Sequence, residues 1–260
     1  MVKILGVRVD NVDMVQSLCL IQEYIDCFSK NKKKNHIITL NAEIIYRAKD
    51  DVKLKEIINK AELVTPDGSG VVWASQQLGE PLSERVTGID LLAHLCRQAQ
   101  PAGWKLYFFG SKPGVAQAAK AKIEEGFPNI NIVGVHDGYF TPEEEPSIIA
   151  DINDKKPDIL FVALGAPKQE FWINENRDKL DVAVMMGVGG SFDVISGNVK
   201  RAPVFFQKLR LEWLWRLLSN PSRAGRMKVL PKFVKLVKKS KKERKRNQQE
   251  VEEKRGQLPS

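Results

Sequence analysis

Along residues 1–197, short apolar runs alternate with stretches of helical periodicity, and this alternation constrains the fold more than any other feature of the chain. The runs fall at 3–9, 36–40, 62–65, 105–109, 130–135, 159–164 and 182–186. They are rich in Val, Ile and Phe, and several are apolar at nearly every position. A strand that is apolar on both sides of its pleat has to be covered on both faces, which is the situation of a parallel sheet. Between the runs, stretches such as 14–28, 89–100, 115–125 and 143–153 carry apolar residues at helical spacing. Strand and helix in alternation build βαβ units, so the expected fold is α/β: a doubly wound, Rossmann-like, mainly parallel sheet. No internal repeat is visible. With 260 residues the chain can bury such a core without disulfide support, as one domain or one domain with an appendage.

The pattern changes near Gly197. The predicted organisation is an α/β domain over 1–197, a basic, aromatic helical appendage over 198–246, and a polar, disordered tail over 247–260. Within the appendage, 204–218 is dense in apolar and aromatic residues (Phe205, Phe206, Trp213, Trp215), and Pro221 breaks it. From Arg223 to Arg246 stand twelve Lys and Arg against one acid. The net charge of +9 is therefore a body near −2 joined to a segment of +11. Such a segment calls for an anionic partner, nucleic acid or a membrane surface. Met227, Leu230, Phe233, Val234 and Val237 recur at helical spacing among the lysines. That favours a helix lying with its apolar stripe on anionic lipid over one docked on the body with a basic outer face. The apolar stretch 204–218 could also pack on a second copy of the chain, which leaves a homo-oligomer open.

No run is apolar enough to span a membrane, and the N-terminus has no secretory pattern. Three scattered cysteines suit a reducing, cytoplasmic compartment. The three histidines have no metal-site spacing with cysteine or acid, and no Asp-x-Asp occurs to hold a divalent ion, so neither a metal nor another cofactor is expected.

In a parallel α/β sheet, ligands bind at the carboxyl ends of the strands. The residues expected there include Thr39 and Asn41, then Asp67 with Gly68, then Gly110, then Tyr139. Gly165, Lys168 and Gln169 follow, and finally Gly187, Gly189, Gly190 and Asp193. Each glycine alone is explained by the needs of a βα turn. As a set they fit backbone amides approaching a phosphate. The P-loop, the dinucleotide G-x-G-x-x-G and the hydrolase G-x-S-x-G are all absent. Asp67 fits equally a turn or helix-cap aspartate and a general base at the ligand edge. Arg85 fits a phosphate clamp or a surface arginine. Arg216, Arg223 and Arg226 would make a phosphate clamp if they converged, and otherwise a solvated basic face.

Taken together, Thr39-Leu40-Asn41-Ala42-Glu43, Thr65-Pro66-Asp67-Gly68, Glu84-Arg85-Val86-Thr87-Gly88-Ile89-Asp90, Gly165-Ala166-Pro167-Lys168-Gln169-Glu170 and Gly187-Val188-Gly189-Gly190-Ser191-Phe192-Asp193 resemble the WecG/TagA/CpsF glycosyltransferase family. Leu211-Glu212-Trp213-Leu214-Trp215-Arg216-Leu217 and Pro221-Ser222-Arg223 extend the resemblance. It implies an inverting, metal-independent transfer of N-acetylmannosamine from UDP-N-acetylmannosamine to the 4-hydroxyl of N-acetylglucosamine on undecaprenyl diphosphate, as in wall teichoic acid linkage-unit synthesis. The uronic acid form of that sugar, or a hexose, is the alternative donor. By the same resemblance, Asp67 is the base, Thr39 and Gln169 position the sugars, and Arg85 lines the pocket. Arg216, Arg223 and Arg226 close over the diphosphate. Asn41, Gly110, Tyr139, Lys168, Gly187, Gly189, Gly190 and Asp193 would hold the UDP-sugar. A lipid-linked acceptor implies a peripheral enzyme on the inner face of the cell membrane. The rival classes are a nucleic-acid-binding protein and a non-catalytic membrane-surface scaffold. The body has no recognisable nucleic-acid motif, so no nucleic-acid partner is expected.

Overall fold

The computed structural model describes residues 1–203, 205–206, 214–215 and 228–256. The chain opens with β1 (Val2–Ile4) and β2 (Val7–Val9), followed by α1 (Met14–Asn31), β3 (Asn35–Leu40), α2 (Ala42–Ala48), α3 (Val52–Lys60) and β4 (Leu63–Pro66). Next come α4 (Ser69–Gln77), α5 (Gly88–Ala102), β5 (Lys105–Gly110), α6 (Val115–Gly126) and β6 (Asn131–His136). The series continues with α7 (Glu145–Lys155), β7 (Ile159–Ala163), α8 (Lys168–Asn176), β8 (Val184–Gly187) and α9 (Ser191–Ile195), and a long helix, α10, spans Val229–Gly256.

Strands β3 to β8 form one six-stranded sheet, ordered β4-β3-β8-β7-β5-β6, with every pairing parallel. Helices cover both faces, as expected for a doubly wound fold. Alternate residues divide the strands between two layers. Ile37, Phe108, Phe161 and Met186 pack under α1, α5, α6 and α9. Tyr107, Phe109, Leu160, Val162 and Met185 pack with residues of α7 and α8 on the opposite face. Since β7 is buried at all five of its positions, its sequence ILFVA needs no polar alternation.

The first expected strand, 3–9, is corrected. It is a hairpin outside the main sheet, with Val2 opposite Val9 and Ile4 opposite Val7. Leu5 and Gly6 make the turn with φ of +51° and +81°. Two consecutive positive φ values suit the right-handed twist of a two-residue hairpin, and glycine takes the second at no steric cost.

The reading of the C-terminal stripe as lipid-facing is corrected too. Phe233 and Val237 are buried, and with Leu230 they complete the core formed by the hairpin, α2, α3 and α4. The end of the packed segment is pinned by polar contacts: Arg244 donates to the carbonyls of Leu78 and Lys3 and pairs with Glu80, and Lys241 donates to Gln77. The groove between α2 and α4 offers apolar area within the chain itself, so burying the stripe there needs no membrane. What stays outside is basic: Lys228, Lys232, Lys235, Lys238, Lys239, Lys242 and Lys245 are all exposed. The helix continues to Gly256 rather than giving way at 247, because the Gln, Glu, Lys and Arg that make the segment polar are also good helix formers. Among the described residues no helix is long and apolar enough to cross a membrane.

Candidate active site

The carboxyl ends of β4, β3, β8 and β7 lie side by side and are stitched together by residues expected to act there. Beyond Pro66, the Asp67 amide donates to the Leu40 carbonyl at 2.8 Å, tying the end of β4 to the end of β3. Gly68 occupies the N-cap position of α4 with a φ of +103°. The Asp67 carboxylate accepts from the Gly88 amide at 3.4 Å, so it faces the N-terminus of α5, where the helix dipole favours negative charge. Gly88 in turn abuts Thr39: a Cβ there would come within 3.1 Å of the threonine Oγ1. Thr39 donates that hydroxyl to the Gly187 carbonyl at 3.1 Å. Over Gly187 lies the Gln169 amide, whose Oε1 accepts from the Gly189 amide at 3.0 Å. Asp67, Gly88, Thr39, Gly187, Gln169 and Gly189 thus form one connected series.

Arg85 belongs to the same neighbourhood through its loop. The amide of the next residue, Val86, donates to the Pro66 carbonyl just before Asp67. Arg85 and Arg201 both act on Asp90. Burial raises the Asp90 carboxyl, but the Thr87 hydroxyl, Arg201 and Arg85 together hold it below the usual carboxylate range. Arg201 pairs with Asp90 at 2.5 Å, so the segment leading into the appendage is anchored on the first turn of α5, beside Asp67. Arg216, Arg223 and Arg226 lie outside the described residues.

Several expected ligand contacts have structural duties. Asn41 caps α2, its side-chain oxygen accepting from the Ile44 amide. Gly110 lacks a side chain because a Cβ would sit 2.6 Å from the Ala163 backbone, at a φ of +117°. Gly187 is restricted likewise, a Cβ falling 2.4 Å from the Gln169 Nε2. Gly187→Ala should therefore displace a buried, hydrogen-bonded amide and destabilise the fold by about 1–3 kcal/mol. Thermal unfolding checks this, and an unchanged midpoint would mean that Gln169 moves aside freely.

Gly110 and Tyr139 sit at the other half of the sheet. The chain leaves β5 toward β6 and leaves β7 toward β8, in opposite directions, and in doubly wound sheets such a divergence is where a ligand crevice is expected. The ends of β5, β6 and β7 lead here into Gly110, into Tyr139, whose ring is exposed, and into Lys168, whose ammonium lies 5.6 Å from the centre of the Phe140 ring. Asp193 lies in the first turn of α9, directly after the Gly189–Gly190 turn.

His36 and Glu170 are among the groups with strongly displaced pKa values. His36, at the opposite end of β3, is held down to about 3 by burial and by Arg177. Glu170 stands at the ligand edge, next to Gln169. It is fully buried, and burial pushes its carboxyl up to about 7 against the lowering effect of its hydrogen bond with Gln169. Motif spacing alone does not single out Glu170 as a functional residue. The signal in the sequence is its register: Gln169, Trp172, Ile173 and Asn176 make the buried stripe of α8, and Glu170 stands one turn before Ile173. Among the described residues no group of three or more His, Cys, Asp and Glu could hold a metal ion.

Comparison with known proteins agrees with these motifs. The sequence profile described as "Glycosyl transferase WecG/TagA/CpsF family" matches residues 2–247. The chain is 42% identical over 204 residues to an N-acetylglucosaminyldiphosphoundecaprenol N-acetyl-beta-D-mannosaminyltransferase of Bacillus spizizenii (strain ATCC 23059 / NRRL B-14472 / W23), covering 78% of each chain. To the protein of the same description from Staphylococcus aureus (strain MW2) it is 38% identical over 247 residues, 94% of this chain and 95% of that one.

Proposed function

The chain belongs to the WecG/TagA/CpsF family and is a glycosyltransferase, and from that premise we propose that it transfers N-acetylmannosamine from UDP-N-acetylmannosamine to the 4-hydroxyl of N-acetylglucosamine on undecaprenyl diphosphate, with inversion at the transferred carbon. The observation that carries this reading is the linked series from Asp67 through Thr39 to Gln169 along one edge of the sheet, next to the crevice between β5 and β7. The crevice takes the uridine diphosphate, with Gly110, Tyr139, Lys168, the Gly187–Gly190 turn and Asp193 about it. The sugar then projects over β8 and β3, where Thr39, Asn41 and Gln169 hold it, and the acceptor hydroxyl approaches from the side of Asp67.

Inversion follows from having the base and the leaving group on opposite sides of the reacting carbon. Asp67 takes the proton of the acceptor hydroxyl as its oxygen bonds to the anomeric carbon. The bond from that carbon to the diphosphate oxygen breaks on the far side, and UDP leaves with the electron pair. The charge developing on that oxygen is met by fixed cations, Arg85 and Lys168 from the body and Arg216, Arg223 and Arg226 from the appendage. Arginine clamps can do this without a metal ion, which accords with a sequence that has no Asp-x-Asp.

The segment 198–246 acts as the membrane-facing part of the enzyme. Its exposed lysines along α10 meet the anionic inner leaflet of the cell membrane, each contributing about 1 kcal/mol near the surface. The Arg201–Asp90 pair keeps the root of the segment at the site, so arrival at the lipid also brings the appendage arginines to the diphosphate.

Release of UDP from UDP-N-acetylmannosamine, measured with a lipid-linked N-acetylglucosamine acceptor in anionic vesicles, tests the reading. The full chain should release UDP only when the acceptor is present. Replacing Arg216, Arg223 and Arg226 together by alanine should slow release by about 10²-fold. A rate that is unchanged removes those arginines from the reaction. Faster transfer from the uronic acid form, or from a UDP-hexose, would replace the donor named here.

A further inference from the structure

Glu170 is a polar group for which packing has no use. Its carboxyl is fully buried. Its Oε1 accepts from the Gln169 Nε2 at 2.9 Å, while its Oε2 has no hydrogen-bond partner among the described residues. Burying a carboxyl half-satisfied is costly, and a leucine or methionine would fill the same place in α8 at no such cost. Positions that break a local rule of this kind concentrate where function needs them.

The need is visible in Gln169. A carboxamide has nearly the same shape either way round, and only its partners choose between the two orientations. The Gly189 amide can only donate, so the Gln169 atom facing it must be the oxygen. The nitrogen on the other side then requires an acceptor, and Glu170 Oε1 is that acceptor. Held from both ends, the amide is pinned across Gly187, whose carbonyl already takes the Thr39 hydroxyl.

We propose that Glu170 is the positioning residue of Gln169: it fixes the amide in the one orientation that presents its nitrogen above Gly187, beside Thr39, to an oxygen of the bound sugar. The inference rests on the reading above that Gln169 contacts the sugar. Glu170 itself touches no substrate and acts through Gln169 alone. The raised pKa of the carboxyl agrees with a group kept out of water for this purpose.

The test uses the full-length protein, UDP release with the lipid-linked acceptor, and thermal unfolding of each variant. Glu170→Met removes the acceptor and keeps the volume. It should lower kcat by about 10–100-fold with a smaller change in KM, as expected when a contact group is misplaced. Its melting temperature should stay close to that of the parent, because the carboxyl oxygen without a partner is gone while the buried Gln169 nitrogen loses its acceptor. Glu170→Gln keeps an oxygen toward Gln169 and should recover kcat to within about threefold. Combined with Gln169→Ala, Glu170→Met should slow the enzyme no further than Gln169→Ala alone. A slow Gln169→Ala beside a Glu170→Met of parental kcat overturns this inference and leaves the site intact. So does a Glu170→Met that loses kcat and melting temperature together, or a double variant slower than Gln169→Ala. A Gln169→Ala of parental kcat overturns the premise instead, since Gln169 would then have no part in the reaction.

Discussion

Asp67→Asn should lower turnover by about 10²–10⁴-fold, the range that positioned general bases contribute. The substitution is chosen to spare the fold. Asparagine has the same shape, and its side-chain oxygen can still accept from the Gly88 amide that meets the carboxylate at 3.4 Å. The backbone contact from the Asp67 amide to the Leu40 carbonyl does not involve the side chain at all. The variant should therefore melt close to the parent while failing to take up the acceptor proton. The loss should appear in kcat and in kcat/KM alike, as for an interaction made only in the transition state. Initial rates of UDP release at saturating donor and acceptor, with a melting curve of the same sample, decide it. Near-parental turnover would leave Asp67 as a turn residue at the end of β4 and return the search for the base to the rest of that edge.

Phe233→Ala should cost about 3–5 kcal/mol, the usual penalty for emptying a phenylalanine site in a packed core. Phe233 is 1% exposed and packs with Val237 and Leu230 against the core of the hairpin, α2 and α4. The damage should concentrate in α10. Its amides should exchange faster, its lysine-rich surface should be cut sooner by trypsin, and the melting midpoint should fall. Substituting Lys235 or Lys239, both on the outer face, should leave the midpoint alone and weaken only vesicle binding, in a salt-dependent manner. The contrast separates two designs for the same residues. If the apolar stripe were the surface that enters lipid, Phe233→Ala would leave melting in solution unchanged and reduce membrane binding. The packed position of Phe233 requires the reverse order of effects.

Together these two experiments describe a division of labour. In the reaction proposed above the body carries the base, while the last helix is fastened to that body by apolar contacts and offers charge outward. Because α10 docks on α2 and α4, and both of those helices follow strands that end in the candidate site, α10 is connected to Asn41 and Asp67 through one packed layer. Arg201 makes a second connection, from the root of the appendage to the first turn of α5. A surface helix flexibly tethered to the body would have neither.

Much of the candidate site is legible in the amino-acid sequence. Thr39, Asp67 and Gly187 belong at strand ends because each closes or closely follows an apolar run, Gln169 opens the helix after another, and the linked series has them side by side there. Asn41 and Gly110 also stand at strand ends as expected, but the cap of α2 and the closeness of Ala163 already account for the residue types there. Glu170 escapes such a reading because charge on a helix ordinarily means solvent, and only the packing of α8 against the sheet removes it from water.

What the amino-acid sequence determined by itself was the kind of element along most of the body and the strand-end edge of the sheet at which Thr39, Asp67 and Gly187 stand. Both are written in the spacing of residues near one another in the chain, through the periods of strand and helix. The tertiary structure alone decided the order of the strands, with β8 inserted between β3 and β7, the separation of the N-terminal hairpin from the sheet, and the seat of the stripe on α10. Those outcomes turn on which distant surfaces meet. The Thr39 hydroxyl finds the Gly187 carbonyl 148 residues away, and Arg244 finds the Lys3 carbonyl across 241. Local periodicity cannot encode such pairings, since a buried apolar stripe is equally content against a neighbouring helix or a lipid tail, and only the geometry of the folded chain selects between them.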